Sequence, residues 1–235
     1  MSHSSLASAD DTVPVTTSVG AKLLDVLAAP SEVLAQVAAA HPKHVNWLLP
    51  TILVCVTGLI LQAITWNKGQ VAAAIGQLSQ AGPFSTEQAD WLSKHGQLIS
   101  GSGICLAAFA GIFWSALVIW LIGRIPLKRR FAFVKSLEMV GLSSSVLVLG
   151  TLATALLTLA AGDATARPAF SLFALNLTPG NATRTLLDIL NLFHLWGIAL
   201  LACGLAKLAG VSFKEAAFWV FGYWFVVRLV MVILA

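Results

Sequence analysis

The stretch "LLDILNLFHLWGIALL", from Leu186 to Leu201, decides the fold class. It is apolar enough to lie in a lipid bilayer, yet its first half carries Asp188, Asn191 and His194. About 20 apolar residues, at ~1.5 Å of helical rise each, cross a hydrocarbon core ~30 Å thick. We therefore interpret the stretch as a membrane-spanning helix that carries a polar face.

Four other runs of this kind accompany it along the chain. Of the 235 residues, 58% are apolar and 10% are charged, whereas a soluble domain averages about 25% charged residues. We predict an all-α, polytopic membrane protein in which residues 45–235 form a domain of five transmembrane helices. The predicted spans are about 47–66, 98–123, 134–161, 186–208 and 215–235.

The amino-terminal residues are too polar to span a bilayer. Residues 1–18 lack the basic start and the apolar core of a secretory signal, and we expect a flexible cytosolic tail. Residues 19–44 separate apolar from polar side chains around a helix, and Pro30 is expected to divide them into two helices. We predict a cytosolic amphipathic helix pair that lies along the membrane surface or against the ends of the spans. An ordinary packed pair with no lipid role is the alternative.

Basic residues predict the orientation, since Lys and Arg in short loops stay on the cytosolic side. With five spans, the amino-terminal segment and two loops fall on one side of the membrane. That side contains Lys22, Lys43, Arg124, Lys128, Arg129, Arg130, Lys135, Lys207 and Lys214. The longer loops on the opposite side contain Lys68, Lys94, Arg167 and Arg184. We therefore expect the amino terminus in the cytosol and the carboxyl terminus outside.

A polar cluster is predicted inside the membrane near its outer surface. At ~100° per residue, Asp188, Asn191 and His194 share one face of the fourth predicted helix with Arg184. Arg228 lies at a comparable depth in the fifth span, where an arginine facing lipid costs roughly 2.5 kcal/mol or more. We predict that Asp188 and Arg228 form an ion pair between adjacent antiparallel helices.

This intramembrane polar cluster of Asp188, Asn191, His194 and Arg228 has two interpretations. It forms either a polar cavity linked to a proton or a ligand through His194, or a structural clamp that fixes the order of the helices. The clamp needs no substrate, because one carboxylate and one guanidinium can neutralise each other.

Small residues recur every four positions in the second span, at Gly103, Ala107, Gly111 and Ser115. Small side chains let helix backbones approach closely, and such packing holds helices together in lipid. The stripe predicts a tight helix contact, either within the chain or between protomers.

Two other patterns mark predicted helix starts. Ser85 followed by Gln88 resembles a capping box and predicts a short helix outside the bilayer. Glu138 lies near the start of the third span, where the helix dipole favours an acid, with Lys135 three residues before it. We expect Glu138 to serve only as a capped helix end.

Signatures of catalysis are missing from the sequence. There is no GxSxG elbow, HExxH motif, Walker loop or paired acidic motif. The three cysteines fall inside predicted spans without metal-ligand spacing, and the net charge of +4 is too scattered for nucleic acid. We expect no catalytic residue, metal or cofactor, and as partners the lipid bilayer and either other membrane proteins or further copies of the chain.

Three stretches resemble the Yip family, the Ypt/Rab-interacting type of five-span membrane proteins with a large bacterial branch. They are "LLDVLAAPSEVLAQV" before the first span, "FSLFAL" before the fourth, and "LLDILNLFHLWGIALLACGLAKLAGVSFKEA". The resemblance implies a helical bundle with a cytosolic amino terminus and an outward carboxyl terminus. In the eukaryotic branch such proteins are associated with Rab GTPases and vesicle traffic, whereas this composition resembles the bacterial branch and implies a bacterial inner membrane.

The sequence thus leaves two functions open. The first is a non-enzymatic integral membrane protein of the Yip type that organises membrane or partner proteins. The alternative is a small transporter or channel-like protein that uses the polar face of the fourth and fifth helices.

Overall fold

The computed structural model describes residues 18–66, 85–163, 166–174 and 187–234. Within these ranges the regular elements are helices, which confirms the predicted fold class. They are α1 (Val19–Ala28), α2 (Pro30–Ala39), α3 (Val45–Thr65), α4 (Thr86–Arg124), α5 (Phe133–Ser143), α6 (Ser145–Ala161), a short 3₁₀ helix (Phe170–Ala174), α7 (Leu192–Ala209) and α8 (Phe213–Leu234). The predicted tail at residues 1–17 and Arg184 lie outside the described residues.

Four helical segments are long and apolar enough to cross a membrane, namely α3, α4, α5 together with α6, and α7. The chain is therefore a multi-pass membrane protein. The fifth predicted span, α8, is a helix of 22 residues but is not one of these four when the described residues are considered. A fifth crossing stays a prediction.

Two helices have bounds that differ from those of the spans predicted within them. The capping box at Ser85 and Gln88 is present, but the helix it starts continues as α4 for 39 residues. The short external helix and the second span are therefore one helix, because no proline interrupts residues 86–124. The helix of the fourth predicted span, α7, begins at Leu192, because the Asn191 side chain accepts hydrogen bonds from its first turn, whereas the span was predicted from about residue 186.

The third predicted span is divided at Ser144. The hydroxyl groups of Ser144 and Ser145 donate to the backbone oxygens of Gly141 and Leu142 at 2.6 and 2.7 Å. Such bonds compete with the helical ladder and bend a helix. The chain consequently continues from α5 into α6 as two segments of one crossing.

The amino-terminal helices pack on the bundle. Pro30 occupies the first turn of α2, as predicted, and the Ser18 hydroxyl caps α1. Val26 and Leu34 are fully buried in an apolar cluster with Met139 and Leu142 of α5. The pair therefore lies against membrane-crossing helices, which is one of the two predicted positions.

A second apolar core joins α4, α5, α7 and α8. It includes Ile119, Leu137, Leu205 and Ala216, which lie where α4 and α7 end and where α5 and α8 begin. The exposed basic residues Arg124, Lys128, Arg129, Arg130, Lys207 and Lys214 belong to the same region of the chain. We call this region the basic end and the opposite one the distal end.

Candidate functional site

A buried ion pair lies near the start of α5. The Nζ atom of Lys135 is 2.9 Å from the Oε2 atom of Glu138, and the two side chains are 10% and 0% exposed. The pair is one helical turn apart, so both groups project from the same face of α5. Glu138, which was predicted to cap a helix end, is instead among the most deeply buried side chains that the structure describes.

Each member of the pair binds a different part of the amino-terminal segment. The Oε1 atom of Glu138 accepts hydrogen bonds of 2.7 Å from the Lys43 backbone amide and from the Asn46 side-chain amide. The Nζ atom of Lys135 donates to the backbone oxygen of Val37 at 2.7 Å. These contacts, which we call the Lys135–Glu138 junction, connect the last turn of α2, the link to α3 and the start of α3 to one helix of the bundle.

The junction offsets the cost of burying charge in two ways. First, the Nζ atom of Lys135 and the Oε2 atom of Glu138 form an ion pair, although Oε2 accepts no hydrogen bond, so the two charges neutralise each other. Second, the remaining bonds join a charged group to a neutral partner and are stronger than bonds between neutral groups. One of them also satisfies a carbonyl at the carboxyl end of α2, which has no partner within its own helix. The arrangement fixes α1 and α2 to the bundle and leaves no charged oxygen open to solvent.

The predicted intramembrane polar cluster is split in the structure. Asp188 precedes α7, and its carboxylate accepts a short hydrogen bond from the Ser171 hydroxyl of the 3₁₀ helix. Asn191 caps α7, with its Oδ1 atom 3.0 and 3.2 Å from the amides of Phe193 and His194. Both side chains therefore hold the backbone at the distal end of the bundle.

The predicted ion pair between Asp188 and Arg228 was wrong. Among the described residues, no carboxylate lies within 4.0 Å of the Arg228 guanidinium. The prediction assumed that the fourth span is helical from residue 186, which would carry Asp188 on the face of α7. Because α7 begins only at Leu192, that spacing does not place the carboxylate on the helix.

His194 and Arg228 instead line a cavity of about 340 Å³ among the helices of the bundle. The small residues Ala107, Gly111 and Ser115 form part of its wall on α4, and Tyr223 and Arg228 contribute from α8. Other lining residues come from α3, α5, α6 and α7, and the surface is mostly apolar. We call this space the α4–α8 cavity.

The α4–α8 cavity lies where several of the lining residues of α4 are small, whereas α8 contributes large side chains. The Trp114 indole nitrogen donates to the Tyr223 hydroxyl at 2.9 Å and bridges α4 to α8 beside it. Towards the basic end the lining is apolar and includes Ile119 and Val140, with Ile122 one turn of α4 further on. The polar lining residues His194 and Arg228 lie on the distal side of this apolar part.

The small-residue stripe makes no tight helix contact within the chain at its glycines. A Cβ atom added to Gly103 or Gly111 would meet no atom within 4 Å. The close approach is at Gly141 of α5, where an added Cβ would overlap the Cα atom of Trp47 and lie 2.9 Å from the Asn46 oxygen. A contact of the stripe between protomers stays a prediction.

Comparison with known proteins bears on the whole bundle. A family model described as the Yip1 domain matches residues 24–235, from within α1 to beyond the last described helix. The chain belongs to the Yip1 domain family. The resemblance inferred from the sequence is thereby confirmed. Neither a comparison with curated proteins nor one with solved structures gives a match.

The sequence analysis of this Yip1-domain chain missed the Lys135–Glu138 junction and the close helix contact at Gly141. The sequence position of Glu138 could have predicted a buried ion pair, because an acid inside an apolar run is expected to be paired. Asn46 carried none, since its bond to Glu138 joins residues 92 positions apart. Gly141 was one of 18 glycines, and only the crossing of α3 and α5 distinguishes it.

Proposed function

We propose that this Yip1-domain protein is a non-enzymatic membrane protein that organises membrane or partner proteins, with α1 and α2 as its docking platform. The observation that carries the proposal is the Lys135–Glu138 junction. An amphipathic pair that only rested on lipid would need no buried ion pair to hold it. A fixed pair presents one surface in one orientation, as binding a partner protein requires.

The outward surface of the platform has the composition of a binding site. Leu24 is 70% exposed, and Asp25 and Glu32 are exposed, whereas Val26 and Val33 of the same helices are buried. An apolar residue flanked by acidic ones suits a partner with an apolar contact and basic surroundings. The exposed Lys128 to Arg130 loop belongs to the basic end of the same bundle.

The proposal includes a bacterial inner membrane, five crossings, a cytosolic amino terminus and an outward carboxyl terminus. At ~1.5 Å per residue, the 22 residues of α8 extend about 33 Å, which is long enough for a fifth crossing. The concentration of exposed Lys and Arg residues at the basic end supports its placement in the cytosol.

Photo-crosslinking in native membranes tests the platform. A photoreactive amino acid replaces Leu24, and the same residue at Leu106, which is 72% exposed on α4, serves as a control for lipid contact. We expect a discrete protein adduct from position 24, to another membrane protein or a second copy, and mainly lipid adducts from position 106. Lipid adducts alone from both positions would contradict the proposal.

A small transporter is the second candidate, favoured by the α4–α8 cavity that His194 and Arg228 line. The apolar lining towards the basic end, at Ile119, Ile122 and Val140, disfavours it, because a pathway for protons or anions must continue to the other side. Proteoliposomes that contain wild type or Arg228→Gln separate the two functions. Flux of protons or small anions that falls in the variant would support transport, and no flux from either protein would reject it.

A further inference from the structure

The α4–α8 cavity has a polar end and an apolar end. His194 is 15 residues before the end of α7 at the basic end, and Arg228 is 15 residues after the start of α8 there. At ~1.5 Å per residue, both lie roughly 22 Å from the basic end on neighbouring antiparallel helices. Ile119 and Val140, which belong to the apolar lining, lie nearer the basic end. The polarity of the lining therefore decreases from the distal part of the cavity towards the basic end.

Arg228 brings an unneutralised charge to the distal part of this cavity. Within the described part of the chain, its guanidinium has neither an ion pair nor a hydrogen bond. The carboxylate that precedes α7, Asp188, is bound to Ser171. A guanidinium at membrane depth is costly unless an anion or water accompanies it, so the site favours an anionic group beside Arg228.

A second polar group without a partner lines the same cavity. Ser143 of α5 is 2% exposed, and its Oγ atom accepts or donates no hydrogen bond. It lies ten residues after the start of α5, about 15 Å from the basic end, and thus deeper than Arg228. A buried hydroxyl without a partner is unfavourable, and a ligand acceptor at this depth would offset that cost.

We propose that the α4–α8 cavity binds one anionic phospholipid from the surrounding bilayer. Its phosphate pairs with Arg228 in the distal part of the cavity, a carbonyl of its ester linkages accepts from Ser143 nearer the basic end, and an acyl chain fills the apolar part towards Ile119. A volume of about 340 Å³ lies near the lower limit of ~300–1,000 Å³ for small-molecule sites, which suits part of one chain. A free small anion would satisfy Arg228 but would leave the apolar wall empty.

This assignment gives the small-residue stripe a role. Ala107, Gly111 and Ser115 leave room on α4 instead of closing a helix contact, and an added Cβ at Gly111 meets open space. A leucine at that position would project into the cavity. Gly103 provides a matched control, because it lies on the same helix with equally open surroundings and does not line the cavity.

Photo-labelling in nanodiscs tests the site. Wild type, Gly111→Leu, Gly103→Leu and Arg228→Gln are placed in bilayers with a phospholipid that carries a diazirine on its acyl chain. The headgroup is either phosphatidylglycerol or phosphatidylcholine, and labelled peptides are identified by mass spectrometry. We expect the anionic probe to label α4 and α8 peptides in wild type and Gly103→Leu, and this labelling to be lost in Gly111→Leu.

Arg228→Gln should keep labelling of the cavity but lose the preference for the anionic headgroup. Ala107→Phe, which fills the same wall, supplies a second variant if Gly111→Leu lowers thermal stability relative to Gly103→Leu. Equal labelling of Gly111→Leu and Gly103→Leu would overturn the site, and equal labelling of wild type by both headgroups would overturn the anionic ligand. Neither result depends on whether α1 binds a partner protein.

Discussion

The Lys135 ammonium lies 2.9 Å from the Glu138 carboxylate inside the bundle, and each group also holds a part of the amino-terminal segment. The pair therefore serves two purposes. It neutralises its own charges, and it fixes the surface that α1 and α2 expose. Removing one partner leaves a buried charge without compensation.

Glu138→Ala should lower the free energy of unfolding by about 3–5 kcal/mol, because it leaves the Lys135 ammonium buried and frees the Lys43 amide and the Asn46 amide. Equilibrium unfolding in detergent measures the loss. The exposed Glu32 on α2 provides the control, and Glu32→Ala should unfold as wild type does. Equal stability of the two variants would show that the junction contributes nothing.

Gly141→Ala should destabilise the protein by about 1–3 kcal/mol, since the new methyl group overlaps the Trp47 backbone and forces α3 and α5 apart. Gly111→Ala should not destabilise the protein, because its methyl group meets open space and alanine is favoured over glycine inside a helix by about 0.5–1 kcal/mol. Thermal unfolding of both variants in the same detergent compares them. The opposite order of stabilities would place the close helix contact at the small-residue stripe.

Features that depend on neighbouring residues could be predicted from the sequence. The helical class follows from the hydrophobicity of the chain. The break at Pro30 follows from the missing amide proton of proline, and the cap at Ser85 from a hydroxyl that lies three residues before the amide it binds. The start of α7 could also have been predicted, because Asn191 is a residue type that helix starts prefer. A continuous apolar pattern outweighed that signal and carried the predicted helix back to residue 186.

Features that depend on distant residues could not be predicted. Val37, Lys43 and Asn46 meet the α5 pair only because α2 and α3 fold against α5, across 92 to 98 residues of sequence. The α4–α8 cavity could not be predicted either, since a small residue on α4 is compatible both with a close helix contact and with an empty space beside the helix. The position of α8 relative to α4, with Tyr223 bound to Trp114, decides between them.

Cysteine labelling should confirm the orientation. After replacement of Cys55, Cys105 and Cys203, single cysteines are introduced at Ser93, Arg129 and Ala235. In the proposed topology the basic end is cytosolic and α8 crosses outward from it. A membrane-impermeant maleimide should then label Ser93→Cys and Ala235→Cys in intact cells and Arg129→Cys only after permeabilisation.

Two results would contradict that topology. Labelling of Arg129→Cys in intact cells would reverse the orientation of the bundle. Labelling of Ala235→Cys only after permeabilisation would show that α8 does not cross and that four spans are complete. The Ser93 and Arg129 side chains are exposed, so burial within the protein would not prevent the maleimide from reacting at these two positions.

Asp188 and Arg228 should behave as independent sites, in contrast to the ion pair that the sequence predicts. The effects of Asp188→Ala and Arg228→Gln on the free energy of unfolding should add to within about 0.5 kcal/mol, since the two side chains share no contact. Asp188→Ala combined with Ser171→Ala is the positive control, because these two groups are hydrogen-bonded and their effects should not add. A double-mutant cycle in detergent measures both couplings. If Asp188 coupled to Arg228 as strongly as to Ser171, the guanidinium would already have its anion within the chain, and the anionic lipid would lose its main electrostatic reason to bind.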